Sequence, residues 1–156
     1  MAANILLTRI DNRLIHGQVG VTWTTALGAN LLVVVDDLVA NDPIQQQLMS
    51  VTAKSSGAAT RFFTVEKMIN VISKAADRQK IFIICRTPET VRKLVDGGVP
   101  IKELNVGNMH FSTGKEQIST KVFVDEKDLE DLRYIKSKNV EVTIQDVPSD
   151  TKQEIK

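Results

Sequence analysis

The run Leu31-Leu32-Val33-Val34-Val35 carries no polar side chain and ends on Asp36-Asp37. A strand wetted on one face alternates polar and apolar residues, whereas an uninterrupted β-branched run fits a strand covered on both faces. Ile81-Phe82-Ile83-Ile84-Cys85 repeats the pattern. Strands covered on both faces occur in parallel sheets, which need helical crossovers. The rest of the chain supplies them. Strands are expected over 4–9, 31–36, 60–64, 81–85, 103–106, 122–124 and 140–145, the last alternating and more exposed. A helix is expected over 17–27. Asp42 and Pro43 open another, with Ile44, Leu48 and Val51 on one face. Val65, Met68, Ile69, Ile72 and Ala76 form a stripe of helical period. Thr87-Pro88-Glu89 starts a further helix that Gly97-Gly98 ends, and Asp125 caps one carrying Leu129, Leu132 and Ile135. The expectation is an α/β fold: one domain over 1–156, an open twisted sheet with a mainly parallel core, helices on both faces, and antiparallel pairing near the C-terminal edge.

Composition narrows the function classes. A formal net charge of +1 gives no drive towards nucleic acid or anionic lipid, and 4% aromatic residues leave few platforms for stacking bases. The one cysteine, Cys85, excludes an internal disulfide framework and a cysteine-rich zinc site; its place in an apolar run points to burial. No run approaches the ~18 apolar residues of a membrane span, and no basic-then-apolar leader opens the chain, so the expected location is cytosolic. No cofactor and no metal are expected.

Ligands of parallel α/β sheets bind beyond the carboxyl ends of the strands, which selects loops 10–16, 36–42, 86–87 and 107–114. The first reads Arg9-Ile10-Asp11-Asn12-Arg13-Leu14-Ile15-His16-Gly17-Gln18-Val19. Ile10, Leu14 and Ile15 are expected to anchor it, leaving Asp11, Asn12, Arg13 and His16 facing outward. His16 falls at a helix start, where unpaired N–H groups favour an anion over an imidazolium. A neutral ring keeps a lone pair and is a nucleophile. A phosphoryl group added there would meet the helix end and Arg13. Asp11 either accepts from the non-reacting ring nitrogen or orients Arg13. Arg9 and Gly17 join Arg13 as expected phosphate-binding residues. His110, Asn108 and Thr87 are candidate rim residues, Thr87 reading mainly as a helix cap, and Trp23 and Gly20 as packing residues.

This loop closely resembles the phosphorylation loop of mannose-type IIB subunits of the bacterial sugar phosphotransferase system. The resemblance runs through residues 39–43, 97–100, 105–109 and 124–125. It implies an open, mainly parallel α/β sheet and a histidine at position 16 that takes a phosphoryl group from a IIA subunit. That group would pass to a sugar held by the IIC and IID membrane subunits, which would place the protein at the inner face of the membrane. It also implies phosphorylation at Nδ1, which the residues alone do not select, and leans towards the N-acetylgalactosamine or galactosamine branch. Asn12 stands where relatives often carry an acid and is given no essential role.

The alternative is a receiver-like signalling domain phosphorylated on an aspartate, suggested by Asp36-Asp37 after a strand. A nucleotide-binding module lacks both glycine-rich signatures.

Overall fold

The computed structural model describes residues 3–155. Strands β1 (Ile5–Asp11), β2 (Leu31–Val35), β3 (Ala59–Phe63), β4 (Ile81–Cys85), β5 (Glu103–Asn108), β8 (Glu141–Ile144) and β9 (Gln153–Glu154) form one sheet in the order β3-β2-β4-β1-β5-β8-β9. Every neighbouring pair is parallel except β8–β9 at the C-terminal edge. The expected class is what is observed. β2 and β4 are buried at all five positions, as their uninterrupted apolar runs require.

Alternate residues of these strands serve two apolar layers. Leu7, Leu32, Val34, Phe82 and Ile84 pack under helix α1, which starts as a π turn over Gln18–Trp23 and becomes α-helical over Thr24–Leu27, and under α2 (Pro43–Lys54). Ile10, Leu31, Val33, Ile83 and Val106 pack under α3 (Val65–Val71), α4 (Pro88–Asp96) and α5 (Glu126–Ser137). The caps read from sequence are in place: Asp42, Thr87 and Asp125 each accept an N–H three residues on, and Asp125 completes a capping box with Asp128. Thr64, not read as a cap from sequence, caps α3 in the same way.

Three expectations change. The stripe Ile44, Leu48 and Val51 is 72, 60 and 68% exposed, and Met49 and Ala53 face the core instead. The α2 sequence carries two apolar stripes, and the one with the smaller residues fits under a close helix contact: a Cβ on Gly20 would meet Thr52 Cγ2 at 3.1 Å. Second, Val122–Val124 lies outside the main sheet. It is strand β7, paired antiparallel with β6 (Glu116–Ser119), a strand too short and polar to stand out in sequence. Third, β8 is buried at three of four positions, because β9 covers its edge.

Connections from β1 run towards β2 and those from β5 towards β8, so the order reverses between β1 and β5. Such a switch point opens a crevice at the carboxyl ends. The loop of residues 11–16 stands there.

Candidate active site

Side chains alternate faces along a strand, so Leu7, Arg9 and Asp11 share the face of β1 that α1 covers. Asp11 and Arg9 are both 0% exposed. The expectation that Asp11 faces outward is therefore corrected: only Asn12, Arg13 and His16 reach the surface to any extent.

Asp11 organises the loop with both carboxylate oxygens. Oδ1 accepts the Arg13 backbone N–H at 3.0 Å and lies 3.9 Å from Arg13 Nε. Oδ2 lies 2.9 Å from His16 Nε2 and accepts from Arg9 Nε and Nη2 at 3.3 and 3.1 Å. Burial alone would raise the proton affinity of this carboxyl. The His16 bond, the Arg13 N–H and the charge of Arg9 outweigh it and hold Asp11 below the ordinary carboxylate value. An ionised carboxylate only accepts, so the ring proton of a neutral His16 sits on Nε2 and the lone pair on Nδ1.

Arg9 is not a phosphate-binding residue on the surface, as the sequence suggested; it lies beneath the site. Its Nη1 donates to Asn105 Oδ1 at 2.6 Å, to the Gln145 carbonyl at 3.1 Å and to the Asp146 carbonyl at 3.0 Å. The guanidinium lies 5.2 Å from the Trp23 ring centroid. Burial lowers its proton affinity, and Asp11 and Asp146 oppose that shift. Gly107 stands two residues beyond Asn105 on the same face of β5, and a Cβ there would overlap the guanidinium. A glycine inside a strand often marks close approach, and here the approaching group is Arg9.

The loop is fixed from both sides. Asn12 Nδ2 donates to the Arg86 carbonyl at 2.8 Å, and Asn12 Oδ1 accepts the His110 N–H at 2.5 Å. The Asn12 N–H donates to the Asn108 carbonyl at 3.0 Å, and Arg86 Nη1 donates to the Asn12 carbonyl at 3.1 Å. Asn12, given no role from sequence, thus ties the loops after β1, β4 and β5 together. Leu14 has φ 57° although fully buried. That left-handed backbone costs about 1–3 kcal/mol, offset by the side chain's place in the core. It turns the chain so that His16, 18% exposed in its side chain, lands over Asp11.

Arg13 is 44% exposed in its side chain. It lines an open cleft of about 320 Å³ with Asn108, His110, Phe111 and Lys121. His110 and Asn108 thus line the same cleft as Arg13. Thr87 does not join them by any bond: it accepts the Thr90 N–H at 3.5 Å and acts as the cap of α4. Gly17 has ordinary helical angles, and a Cβ there meets nothing within 4 Å, so the space before its backbone is open. The helix that follows begins as a π turn, a feature frequent at functional sites. Trp23 packs as expected but also donates its indole N–H to the Asp146 carbonyl at 2.8 Å. Asn105, Gly107, Gln145 and Asp146 were missed as site residues; the glycine inside β5 was the available signal.

The aspartates behind the alternative reading are engaged elsewhere. Asp36 accepts from Arg86 Nε at 3.3 Å and from the Val39 N–H at 3.0 Å, and Asp37 accepts the Val65 N–H at 2.9 Å. They hold loops and do not converge on a shared point.

A family model for the PTS system sorbose subfamily IIB component matches residues 5–156. The chain is 70% identical over 152 residues to the N-acetylgalactosamine-specific phosphotransferase enzyme IIB component 1 of Escherichia coli, covering 97% of this chain and 96% of that one. The crystal structure of that Escherichia coli component superposes with a TM-score of 0.96 over 98% of this chain and 100% of the other. The mannose-specific EIIAB component of Escherichia coli is 37% identical over 147 residues, 94% of this chain and 45% of that protein. The chain belongs to the sorbose-type IIB components of the sugar phosphotransferase system.

Proposed function

We propose that this IIB component carries a phosphoryl group on His16, taking it from a phosphorylated IIA component and giving it to a sugar held by IIC and IID membrane subunits. The observation that carries the reading is the 2.9 Å contact of His16 Nε2 with the buried Asp11 carboxylate. It leaves Nδ1 as the nucleophile.

In the first step the Nδ1 lone pair attacks phosphorus. The donor's P–N bond breaks, and its electron pair returns to the donor imidazole. The ring of His16 now carries phosphorus on Nδ1 and a proton on Nε2. Its positive charge is balanced by Asp11, so the proton stays in place through the cycle; orienting a ring by a carboxylate is a recurring device. In the second step a sugar hydroxyl oxygen attacks phosphorus. The hydroxyl gives its proton to solvent water as the P–O bond forms, and the P–N electron pair returns to Nδ1. The leaving group is then a neutral imidazole, which is why the retained Nε2 proton matters. Both steps rely on positioning and charge stabilisation. Arg13 and the open backbone at Gly17 supply these for the equatorial oxygens.

The relatives support the remaining parts. The mannose-specific relative is named EIIAB, an A and a B component under one name, which favours a IIA donor. The sugar on this reading is N-acetylgalactosamine, for which the 70% identical relative is named. No helix among the described residues is long and apolar enough to cross a membrane. On this reading the carrier works at the inner face of the membrane, where it docks to its permease. Both docking events use the strand-end face and are transient, since a carrier must leave.

The test is incubation with phosphorylated IIA. The wild-type protein takes an acid-labile, base-stable phosphate, and folded His16→Ala takes none. Label persisting on the alanine variant overturns the assignment.

A further inference from the structure

Four charged groups stand in a row behind His16. Lys121 Nζ lies 2.7 Å from Asp146 Oδ2, Asp146 Oδ1 lies 3.8 Å from Arg9 Nη2, Arg9 Nη2 lies 3.1 Å from Asp11 Oδ2, and Asp11 Oδ2 lies 2.9 Å from His16 Nε2. The row alternates in sign and crosses from the β6–β7 hairpin through the loop after β8 into β1. Asp146 Oδ1 is buried and accepts no hydrogen bond. Leaving a buried carboxylate oxygen without a donor is costly. Here its contact is the guanidinium that also serves Asp11.

We propose that Asp146 is a positioning residue for His16, acting through Arg9, with Lys121 setting how strongly it does so. The proposal rests on the reading of His16 as the phosphoryl carrier and goes beyond it. The guanidinium of Arg9 is shared between two carboxylates. While Asp146 takes part of its charge, Asp11 keeps enough electron density to hold the Nε2 proton firmly. Without the Asp146 charge, Arg9 is left to Asp11 alone and Lys121 becomes an unpaired cation. The pull of Asp11 on Nε2–H weakens, and the positive ring formed during transfer loses support. Losing Lys121 instead frees the Asp146 charge to draw Arg9 away from Asp11, and the pull strengthens. The remaining charged groups around the row include Arg13 on the β1 loop, His110 after β5, Asp150 in the loop after β8, which shares a cavity with Lys121 and Asp146, and Arg86 with Asp36 after β4 and β2. α1 contributes no charged residue. All of these are unchanged in the variants below.

The backbone carbonyl of Asp146 makes the bonds to Arg9 Nη1 and Trp23 Nε1, so Asp146→Asn keeps the loop's anchoring and alters only the charge. Two measurements compare Asp146→Asn, Lys121→Met and the wild type. The first is the proton resonance of His16 Nε2–H, which reports the strength of its bond to Asp11 without any phosphoryl transfer. It should move upfield in Asp146→Asn and downfield in Lys121→Met. The second is the pH–rate profile of transfer from phosphorylated IIA. Its acid limb should move to lower pH in Asp146→Asn and to higher pH in Lys121→Met, each by roughly half to one unit for one charge at this range in a partly wetted site. The rate plateau of Asp146→Asn should fall several-fold. Opposite movements support the proposal, because a merely structural role would disturb both variants alike. Unchanged signals, or shifts of the same sign, overturn it. If the wild type accepts no phosphoryl group at His16, the carrier reading falls, and the resonance comparison still decides this proposal.

Discussion

Replacing Gly107 by alanine should couple to Arg9 and to nothing else nearby. In an ordinary strand interior, Gly→Ala gains about 0.5–1 kcal/mol because glycine loses more backbone freedom on folding. Here the new methyl would occupy the space of the Arg9 guanidinium, so the sign should reverse. Arg9 must then leave a position where it donates to Asn105, Gln145 and Asp146 and pairs with Asp11. Overpacking costs about 1–3 kcal/mol, and disturbing a buried ion pair about 3–5 kcal/mol. These overlap, so a loss of about 3–5 kcal/mol is expected, or roughly 6–20 °C in melting temperature for a chain of this size. Transfer should fall as well, since Asp11 loses its support. The assay is chemical unfolding followed by circular dichroism for Gly107→Ala, Arg9→Leu and the double variant. With the guanidinium gone the methyl has room, so the double variant should be no less stable than Arg9→Leu alone, a coupling of about 3 kcal/mol or more. Additive losses, or a Gly107→Ala protein as stable as wild type, would refute the claim that Gly107 exists to admit Arg9.

Three further outcomes follow from the same geometry. Asp11→Asn removes an ionised acceptor worth about 1.5–3 kcal/mol from the His16 bond, so rapid-quench phosphoryl transfer should slow about 10- to 150-fold with His16 still present. Asp11 is held below its ordinary value of 3.8, so its contribution to stability is full above that pH and is lost as pH falls through the lower folded value. Acid unfolding of the wild type should therefore show a component below pH ~4 that Asp11→Asn lacks. Cys85 is fully buried, and burial pushes its thiol well above the ordinary range. Native protein should resist a thiol reagent at pH 8 that modifies it promptly in denaturant.

Much of the fold was legible in short stretches. β4 and α4 carry local signals, an unbroken apolar run and a Thr-Pro-Glu start, and the structure bears both out. The loop carrying His16 was legible for the same reason: its charged residues follow a buried strand at a carboxyl end. What failed depends on distant partners. Arg9 reads as a surface cation because, Asp11 apart, the groups that accept its hydrogen bonds lie 96 to 137 positions away. Asp11 reads as exposed because the residue that buries its partner, Trp23, lies on the next helix. The outer stripe of α2 looked like core because nothing local says which of two stripes faces Gly20. β6 and β9 are short and polar, and take their form from pairing alone.

The most direct measurement is nitrogen-resolved NMR of the phosphorylated protein, with the ring of His16 labelled with nitrogen-15. Phosphorus coupled to Nδ1, with the proton retained on Nε2, is the expected result. Phosphorus on Nε2, or a phosphorylated protein whose His16 ring is unaltered, would contradict the arrangement of Asp11 and His16 on which the mechanism stands.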